Sequence, residues 1–240
     1  MRNVIVTGAS RGIGLSITRR LASCGYRVIG IARKPGKEFT SPRSGGIGEV
    51  HVIPFDLANT GAIAPLVQRT RKQFGPIYGL INNAGAGTSG ALALMHHSHI
   101  EQLIRLNTLS PIILTKFVLR SMLSEGAGRV INVASITGFT GYRGLSVYAA
   151  TKASLIGFTR SLAREVGPHG INVNAIAPGF LATEFTQDLG EEHRSQVSRR
   201  SALGRLAEVE DVAHAVEFLL GEGGRNITGT VLTVDAGATA

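Results

Sequence analysis

A doubly wound α/β fold, with a seven-stranded parallel sheet and helices on both faces, is the architecture this sequence predicts. Three observations predict it. Short apolar runs alternate with longer amphipathic stretches from Val4 to Val234. Strands of this kind bury their side chains only if they align in parallel under helices on both faces. A glycine-rich turn separates the first strand from the first helix. No Ser/Pro-rich linker interrupts the alternation for long, so residues 1–240 are expected to form a single domain.

The elements follow in order. Asn3–Val6 reads as a buried strand, followed by the glycine turn and a helix to about Ser23, which Gly25 ends in the C-cap role. Tyr26–Ala32 is the second strand. Lys34–Gly48, with two prolines and four glycines, reads as a surface loop. His51–Phe55 is the third strand and Thr60–Phe74 a helix whose start is marked by the capping residues Asn59 and Thr60. Ile77–Ile81 is the fourth strand. One long amphipathic helix is expected over His99–Leu123, bent at Pro111. Arg129–Val133, Asn172–Ile176 and Val231–Val234 complete the strands, with helices over Val147–Val166 and Glu208–Leu220. The ligand crevice then falls at the carboxyl ends of the strands, near Gly8, Asn82, Ser135 and Pro178.

Composition narrows the function classes. The formal net charge is +9, but the basic residues are scattered without a long run or aromatic interleaving, so nucleic-acid binding is not expected. A phosphate-bearing cofactor or an acidic carrier protein would each benefit from the bias. No stretch approaches the run of ~20 apolar residues that a membrane span needs, and the N-terminus lacks a signal-peptide layout. No membrane association and a cytoplasmic location are the expectation. The single cysteine, Cys24, is expected to pack within its helix.

Gly8, Gly12 and Gly14 form G-x-x-x-G-x-G between strand and helix, a spacing that lets the backbone approach a pyrophosphate at the helix N-terminus. Glycines there also serve a plain turn. Where an enzyme that binds a ribose 2′-hydroxyl places Asp or Glu after the second strand, this chain has Ala32, Arg33 and Lys34, and Arg11 lies within the glycine turn. A guanidinium suits a 2′-phosphate, which favours NADP(H); a merely solvated Arg33 is the plainer alternative. Asp56 ends the third strand within FDLAN, where it can accept from an adenine amino group or cap the next helix. Asn82, Asn83, Ala84 and Gly85 close the fourth strand, either as a turn or as part of the crevice.

Tyr148 and Lys152 lie four apart near the start of a helix and share a face. An ammonium beside a phenol of reference pKa ~10 is expected to lower it and make it a usable acid and base. Ser135 ends the fifth strand, where its hydroxyl can hold a substrate carbonyl, and Asn107 can hold a water next to Lys152.

The segments TGASRGIG, NNAG, YAATK and APG, with Asn107 and Ser135, occur in an order that resembles the short-chain dehydrogenase/reductases over nearly the whole chain. The resemblance implies a Rossmann-type fold and a catalytic tetrad of Asn107, Ser135, Tyr148 and Lys152. It places NADP(H) against Gly8, Ser10, Arg11, Gly12, Ile13, Gly14, Arg33, Asp56, Leu57, Asn83, Ala84, Gly85, Tyr148, Lys152, Pro178, Gly179 and Thr183, with no metal. A homotetramer is the form it implies, with a dimer next.

Within the family, SLAREVGPHGINVNAIAPGF and ITGTVLTVDAGA look most like the 3-oxoacyl-acyl-carrier-protein reductases of fatty acid synthesis. That implies reduction of a carrier- or coenzyme A-linked 3-oxoacyl thioester, with acyl carrier protein as a partner. Arginines that such reductases often carry for the carrier are absent at Gly126 and His169. The first alternative is a broader NADP-dependent carbonyl reductase or secondary alcohol dehydrogenase on free small molecules. A non-catalytic nucleotide-sensing module is the second. Phe139, Tyr142, Leu145, Phe185 and Leu189 are the expected apolar lining of the substrate pocket.

Overall fold

The computed structural model describes residues 1–34, 36, 47–181 and 198–240. Its seven strands are β1 (Asn3–Thr7), β2 (Arg27–Ala32), β3 (Glu49–Pro54), β4 (Ile77–Asn82), β5 (Gly128–Val133), β6 (Ile171–Pro178) and β7 (Val231–Val234). They form one sheet in the order β3-β2-β1-β4-β5-β6-β7, and every pairing is parallel. The order reverses between β1 and β4, which opens a crevice at the carboxyl ends of those strands. This is the Rossmann-type architecture the alternation of elements predicts.

Six α-helices are described: α1 (Gly12–Ser23), α2 (Ile63–Phe74), α3 (His97–Ile104), α4 (Ser110–Glu125), α5 (Ser146–Val166) and α6 (Val209–Leu220). Side chains alternate across each strand, so β1 sends Val4 and Val6 to one face and Ile5 to the other. Val4 and Val6 meet Ile17 and Leu21 of α1 and Val212 and Val216 of α6. Ile5 shares the opposite core with Leu66 of α2, Leu114 and Val118 of α4, and Leu162 of α5. Both layers are lined with buried apolar side chains, and burial of this kind supplies the main favourable term of folding.

Local chemistry sets the element ends. Gly25 (φ +84°) follows α1 and Gly126 (φ +64°) ends α4, both in backbone that a side chain would strain. Glu208 and Asp211 form a reciprocal capping box at the start of α6.

Three expectations are corrected. The single helix over His99–Leu123 is two helices joined by a π-helical turn, Arg105–Leu109, and Pro111 sits in the first turn of α4, directly after it. The helix from Thr60 begins as a 3-10 turn, Thr60–Ala62, and neither that turn nor α2 receives a side-chain cap bond. Cys24 is exposed instead of packed; its thiol donates to Glu217 at 3.3 Å beside the Arg20–Glu217 ion pair at 2.6 Å. Desolvation and then Glu217 hold that thiol above its ordinary pKa, which disfavours the reactive thiolate.

Candidate active site

The glycine turn leaves β1 and doubles back beneath β4. Gly8 has φ +65°, and a Cβ there would stand 2.9 Å from the Cα of Ala84. A Cβ at Gly14 would strike the Gly8 carbonyl and lie 2.6 Å from the Asn83 amide nitrogen, so this crossing admits only glycine. Gly12 is different: at φ +52° nothing lies within 4 Å of its would-be Cβ. Arg11, the N-cap of α1, makes no side-chain cap bond, and the first turn of α1 holds no acid. An open, amide-bearing cradle results, suited to a diphosphate.

Thr7, which the sequence reading missed, pins this cradle to the end of β4. Its hydroxyl donates to the Ile81 carbonyl (3.2 Å) and accepts from the backbone N–H of Asn83 and of Ala84, both at 2.9 Å. The Asn83 side chain donates back to the carbonyls of Thr7 (2.9 Å) and Gly8 (3.3 Å). Asn83 therefore braces the turn with its side-chain NH2 and its backbone N–H, leaving its carbonyl oxygens for a ligand.

Around the cradle, Ser10 is half-buried, Ile13 partly so, and Arg33 is exposed just beyond β2 with no ion pair among the described residues. The would-be Cβ of Gly36 lies 3.9 Å from the Ser10 carbonyl, so the chain after Arg33 returns over the turn. Asp56 is exposed and accepts from the Ala58 N–H at 3.0 Å through one oxygen. Leu57 points into the core, which leaves its backbone for any ligand.

The second cluster gathers at the ends of β4 and β5. Asn107 lies in the π turn, 1% exposed. Its side chain accepts from the Ala86 N–H (2.9 Å) and donates to the Ala86 carbonyl (2.8 Å) and the Thr151 hydroxyl (3.2 Å). The amide is thus a clamp between the π turn, the segment after Gly85 and α5. Thr151, another residue the sequence reading missed, also bonds the Tyr148 carbonyl at 2.7 Å.

Lys152 is buried, and its ammonium donates to the Val133 carbonyl at 2.8 Å. A Cβ on Gly85 would lie 3.3 Å from Asn107 Oδ1 and 3.5 Å from Lys152 Nζ, so these three residues meet around one point. Ser135 accepts from the Thr137 N–H at 3.2 Å, and its hydroxyl faces the Tyr148 phenol closely enough to act against the upward shift of that group. Lys152 Nζ stands 5.7 Å from the centre of the Tyr148 ring.

Burial pushes the Tyr148 phenol above its ordinary value, and the Ser135 hydroxyl only partly offsets this. The expectation that Lys152 lowers the phenol is therefore reversed in the cofactor-free protein. Desolvation brings Lys152 itself down to about 8.

Pro178 ends β6, and Gly179 is pressed against the C-terminal turn: its would-be Cβ lies 2.6 Å from the Asp235 Cβ. Phe180 meets Tyr142 edge-on, centroids 5.7 Å apart, at the rim of the crevice. Phe139, expected in the substrate lining, turns instead to an outer groove between α5 and β7, beside Arg160 and Val231. Thr183, Phe185 and Leu189 lie outside the described residues. Gly126 and His169 precede β5 and β6, where Gly170 abuts Gly126, at the opposite end of the sheet from the crevice. Among the described residues, no group of three or more His, Cys, Asp or Glu is placed to hold a metal ion, and no helix is long and apolar enough to cross a membrane.

Comparison with known proteins agrees with this geometry. The short chain dehydrogenase family model matches residues 2–194. The 3-oxoacyl-[acyl-carrier-protein] reductase FabG of Haemophilus influenzae is 39% identical over 234 residues, covering 97% of this chain and 96% of the relative. The FabG of Escherichia coli is 38% identical over 234 residues (97% and 95%). The human 3-oxoacyl-[acyl-carrier-protein] reductase is 38% identical over 233 residues, with the same coverage as the E. coli relative. Among solved structures, a mutant Serratia marcescens short-chain dehydrogenase/reductase superposes with a TM-score of 0.92 at 32% identity, covering 100% of this chain and 98% of that one. ElxO with NADP bound gives 0.90 at 30% identity, covering 99% and 98%. The chain belongs to the short-chain dehydrogenase/reductase family, nicotinamide-dependent oxidoreductases that interconvert an alcohol and a carbonyl.

Proposed function

We propose that this protein reduces a 3-oxoacyl thioester, linked to acyl carrier protein or coenzyme A, to the 3-hydroxyacyl form with NADPH. The observation that carries the chemistry is the convergence of Ser135, Tyr148, Lys152 and the Asn107 clamp at the ends of β4 and β5. The names of its relatives support the substrate class. Exposed Arg11 and Arg33 beside the cradle support the 2′-phosphate form of the cofactor.

The residues present fit that cofactor, because Gly8 and Gly14 let the backbone cross where any side chain would collide, and Gly12 faces open space. Backbone amides at Gly8 to Gly14 would hold the diphosphate, Arg33 and Arg11 the 2′-phosphate, and Asp56 and the Leu57 backbone the adenine. Asn83, Ala84, Gly85, Tyr148, Lys152, Pro178, Gly179 and Thr183 would surround the remainder. When bound, NADPH supplies the hydride.

Tyr148 then gives its proton to the substrate oxygen, which Ser135 steadies by donating a hydrogen bond. A phenol held protonated by burial is suited to this reductive direction. Lys152 keeps its proton at neutral pH and offers it towards the tyrosine. The Asn107 side chain is fully used, but Pro111, four residues on, has no N–H to return to the Asn107 carbonyl. That carbonyl is the acceptor we assign to a relay water.

The chain is taken to act as a single domain over residues 1–240 in a cytoplasmic homotetramer, with a dimer second. A broader carbonyl reductase on free ketones is the second reading, favoured by the missing cations at Gly126 and His169. NADPH and NADH oxidation measured with a carrier-linked 3-oxoacyl thioester, its coenzyme A counterpart and a panel of free ketones separates the two. NADPH with a thioester should be turned over fastest. Equal use of free ketones favours the second reading, and a preference for NADH removes the role given to Arg33.

A further inference from the structure

We infer that the knuckle Ser198–Arg205, on the rim of the crevice, is the docking surface for an acidic acyl carrier protein. The inference rests on the thioester reading above and specifies which surface meets the carrier.

The knuckle is a built element. The Ser198 hydroxyl donates to the Gly204 carbonyl at 2.7 Å, and buried Ser201 bonds the carbonyls of Ser198 (2.8 Å) and Arg205 (2.7 Å). The chain turns through Gly204 at φ +62°. Two backbone bonds fasten it to the C-terminal turn, from the Ala202 N–H to the Gly237 carbonyl (3.3 Å) and from the Leu203 N–H to the Ala236 carbonyl (3.1 Å). That turn is held by Asp235, which accepts from Gly237, from the Thr239 N–H and from the Thr239 hydroxyl at 2.7–2.9 Å. Asp235 is also the residue that abuts Gly179. The knuckle is therefore fixed to the wall of the site.

It presents Arg199, Arg200 and Arg205, all exposed, around Leu203, which is 63% exposed. None of the three guanidiniums forms an ion pair among the described residues. Of the nearest acids in the following sequence, Glu208 and Asp211 are engaged in the capping box of α6, and exposed Glu210 between them forms no ion pair with the knuckle among the described residues. A partner's carboxylates meeting three exposed cations beside one apolar contact gain orientation and encounter rate more than raw affinity. This end of the sheet also holds Tyr148, so a carrier seated here delivers its thioester arm to the crevice mouth. Gly126 and His169 lie at the other end.

The test compares wild type with Arg199→Glu/Arg200→Glu, using a 3-oxoacyl carrier thioester and the uncharged N-acetylcysteamine thioester of the same acyl group. The control is Arg71→Glu/Lys72→Glu, the same change of charge on exposed positions at the far end of α2. At low salt the knuckle variant should raise KM for the carrier substrate about tenfold and flatten its salt dependence, as rim charges do. Its turnover of the N-acetylcysteamine substrate should stay within about twofold, which also reports that it folds. Arg199→Ala/Arg200→Ala should show a smaller shift of the same kind. An equal loss in the α2 control, or an unchanged carrier KM in the knuckle variant, overturns the docking surface and leaves the thioester reading standing. A wild-type enzyme that shows no preference for the carrier over N-acetylcysteamine overturns the docking surface together with carrier use, while NADPH-dependent thioester reduction survives.

Discussion

The two halves of the crevice are built on different principles. At the catalytic half, functional side chains are buried and tied to one another through α4, α5 and the strands between them. Asn107 is clamped to Ala86 and Thr151, and Thr108 meets Ser154 at 2.9 Å. Deeper in, Asn82 donates to Thr115 (2.9 Å) and Asn132 (2.8 Å), and Asn132 to Thr159 (2.8 Å), so buried amides join both helices to β4 and β5. At the cofactor half the backbone is pinned, but Arg11 and Arg33 are exposed and form no ion pair among the described residues. A substitution in the first half should disturb position as well as chemistry; one in the second should change affinity alone. Buried polar networks carry that risk because an orphaned group pays its full desolvation cost.

The largest effect is expected at Tyr148. Tyr148→Phe removes the proton donor while keeping the ring, so NADPH-dependent reduction should fall roughly a hundred- to ten-thousand-fold. NADPH binding, followed by fluorescence, should persist. Undiminished turnover would remove Tyr148 from the mechanism. Asn107→Ala comes next and separates the halves most directly. It orphans the Ala86 N–H and the Ala86 carbonyl, and should lower stability by about 1–3 kcal/mol as well as turnover. A variant with lost turnover but an unchanged melting temperature would show that the clamp carries no structural load.

Lys152 allows the burial of the catalytic half to be read as a pH effect. Its folded pKa is about 8, below the 10.5 of a free lysine. Below pH 8 both states hold the proton and the cost of the buried charge is present in full. Between pH 8 and 10 the folded state releases the proton while the unfolded chain keeps it, so stability rises with pH in that window. Above 10 the raised Tyr148 phenol works in the opposite sense. The cofactor-free wild type should therefore gain stability relative to Lys152→Met from pH 7.5 to pH 9.5, on the order of a few kcal/mol at most. Denaturant melts at the two pH values measure it, and a flat difference would mean that Lys152 titrates as if solvated.

Much of this fold was legible because parallel strands buried on both faces leave runs such as VIVT and INVAS that have few alternatives. Motif order also singled out Asn107, Tyr148 and Lys152, which the fold gathers near the ends of β4 and β5. What remained hidden depended on contacts that spacing does not encode. A π turn adds a residue inside a run that stays helical on both sides, so Arg105–Leu109 read as ordinary helix. Asn107 looked like a free amide because its partner is the backbone of Ala86, 21 positions away. The direction of the Tyr148 shift follows from burial, which sequence spacing to Lys152 does not reveal. Phe139 was assigned to the substrate because its segment follows Ser135, yet the 3-10 turn Ile136–Gly138 rotates it to the outer surface.

The smallest effect belongs to the cofactor half, at Arg33. An exposed guanidinium that forms no ion pair among the described residues gives up nothing in the apo fold when it is removed, so Arg33→Ala should leave the melting temperature unchanged. Hydrogen bonds to a charged group contribute about 1.5–3 kcal/mol, so affinity for NADPH should fall roughly ten- to a hundredfold. NADH, which lacks the 2′-phosphate, should bind the variant as it binds the wild type. Turnover at saturating NADPH should also hold, because Arg33 touches neither Tyr148 nor its clamp. An equal loss for both cofactors would show that Arg33 shapes the cradle instead of reading the phosphate, and a fall in turnover at saturation would show that the two halves are mechanically coupled.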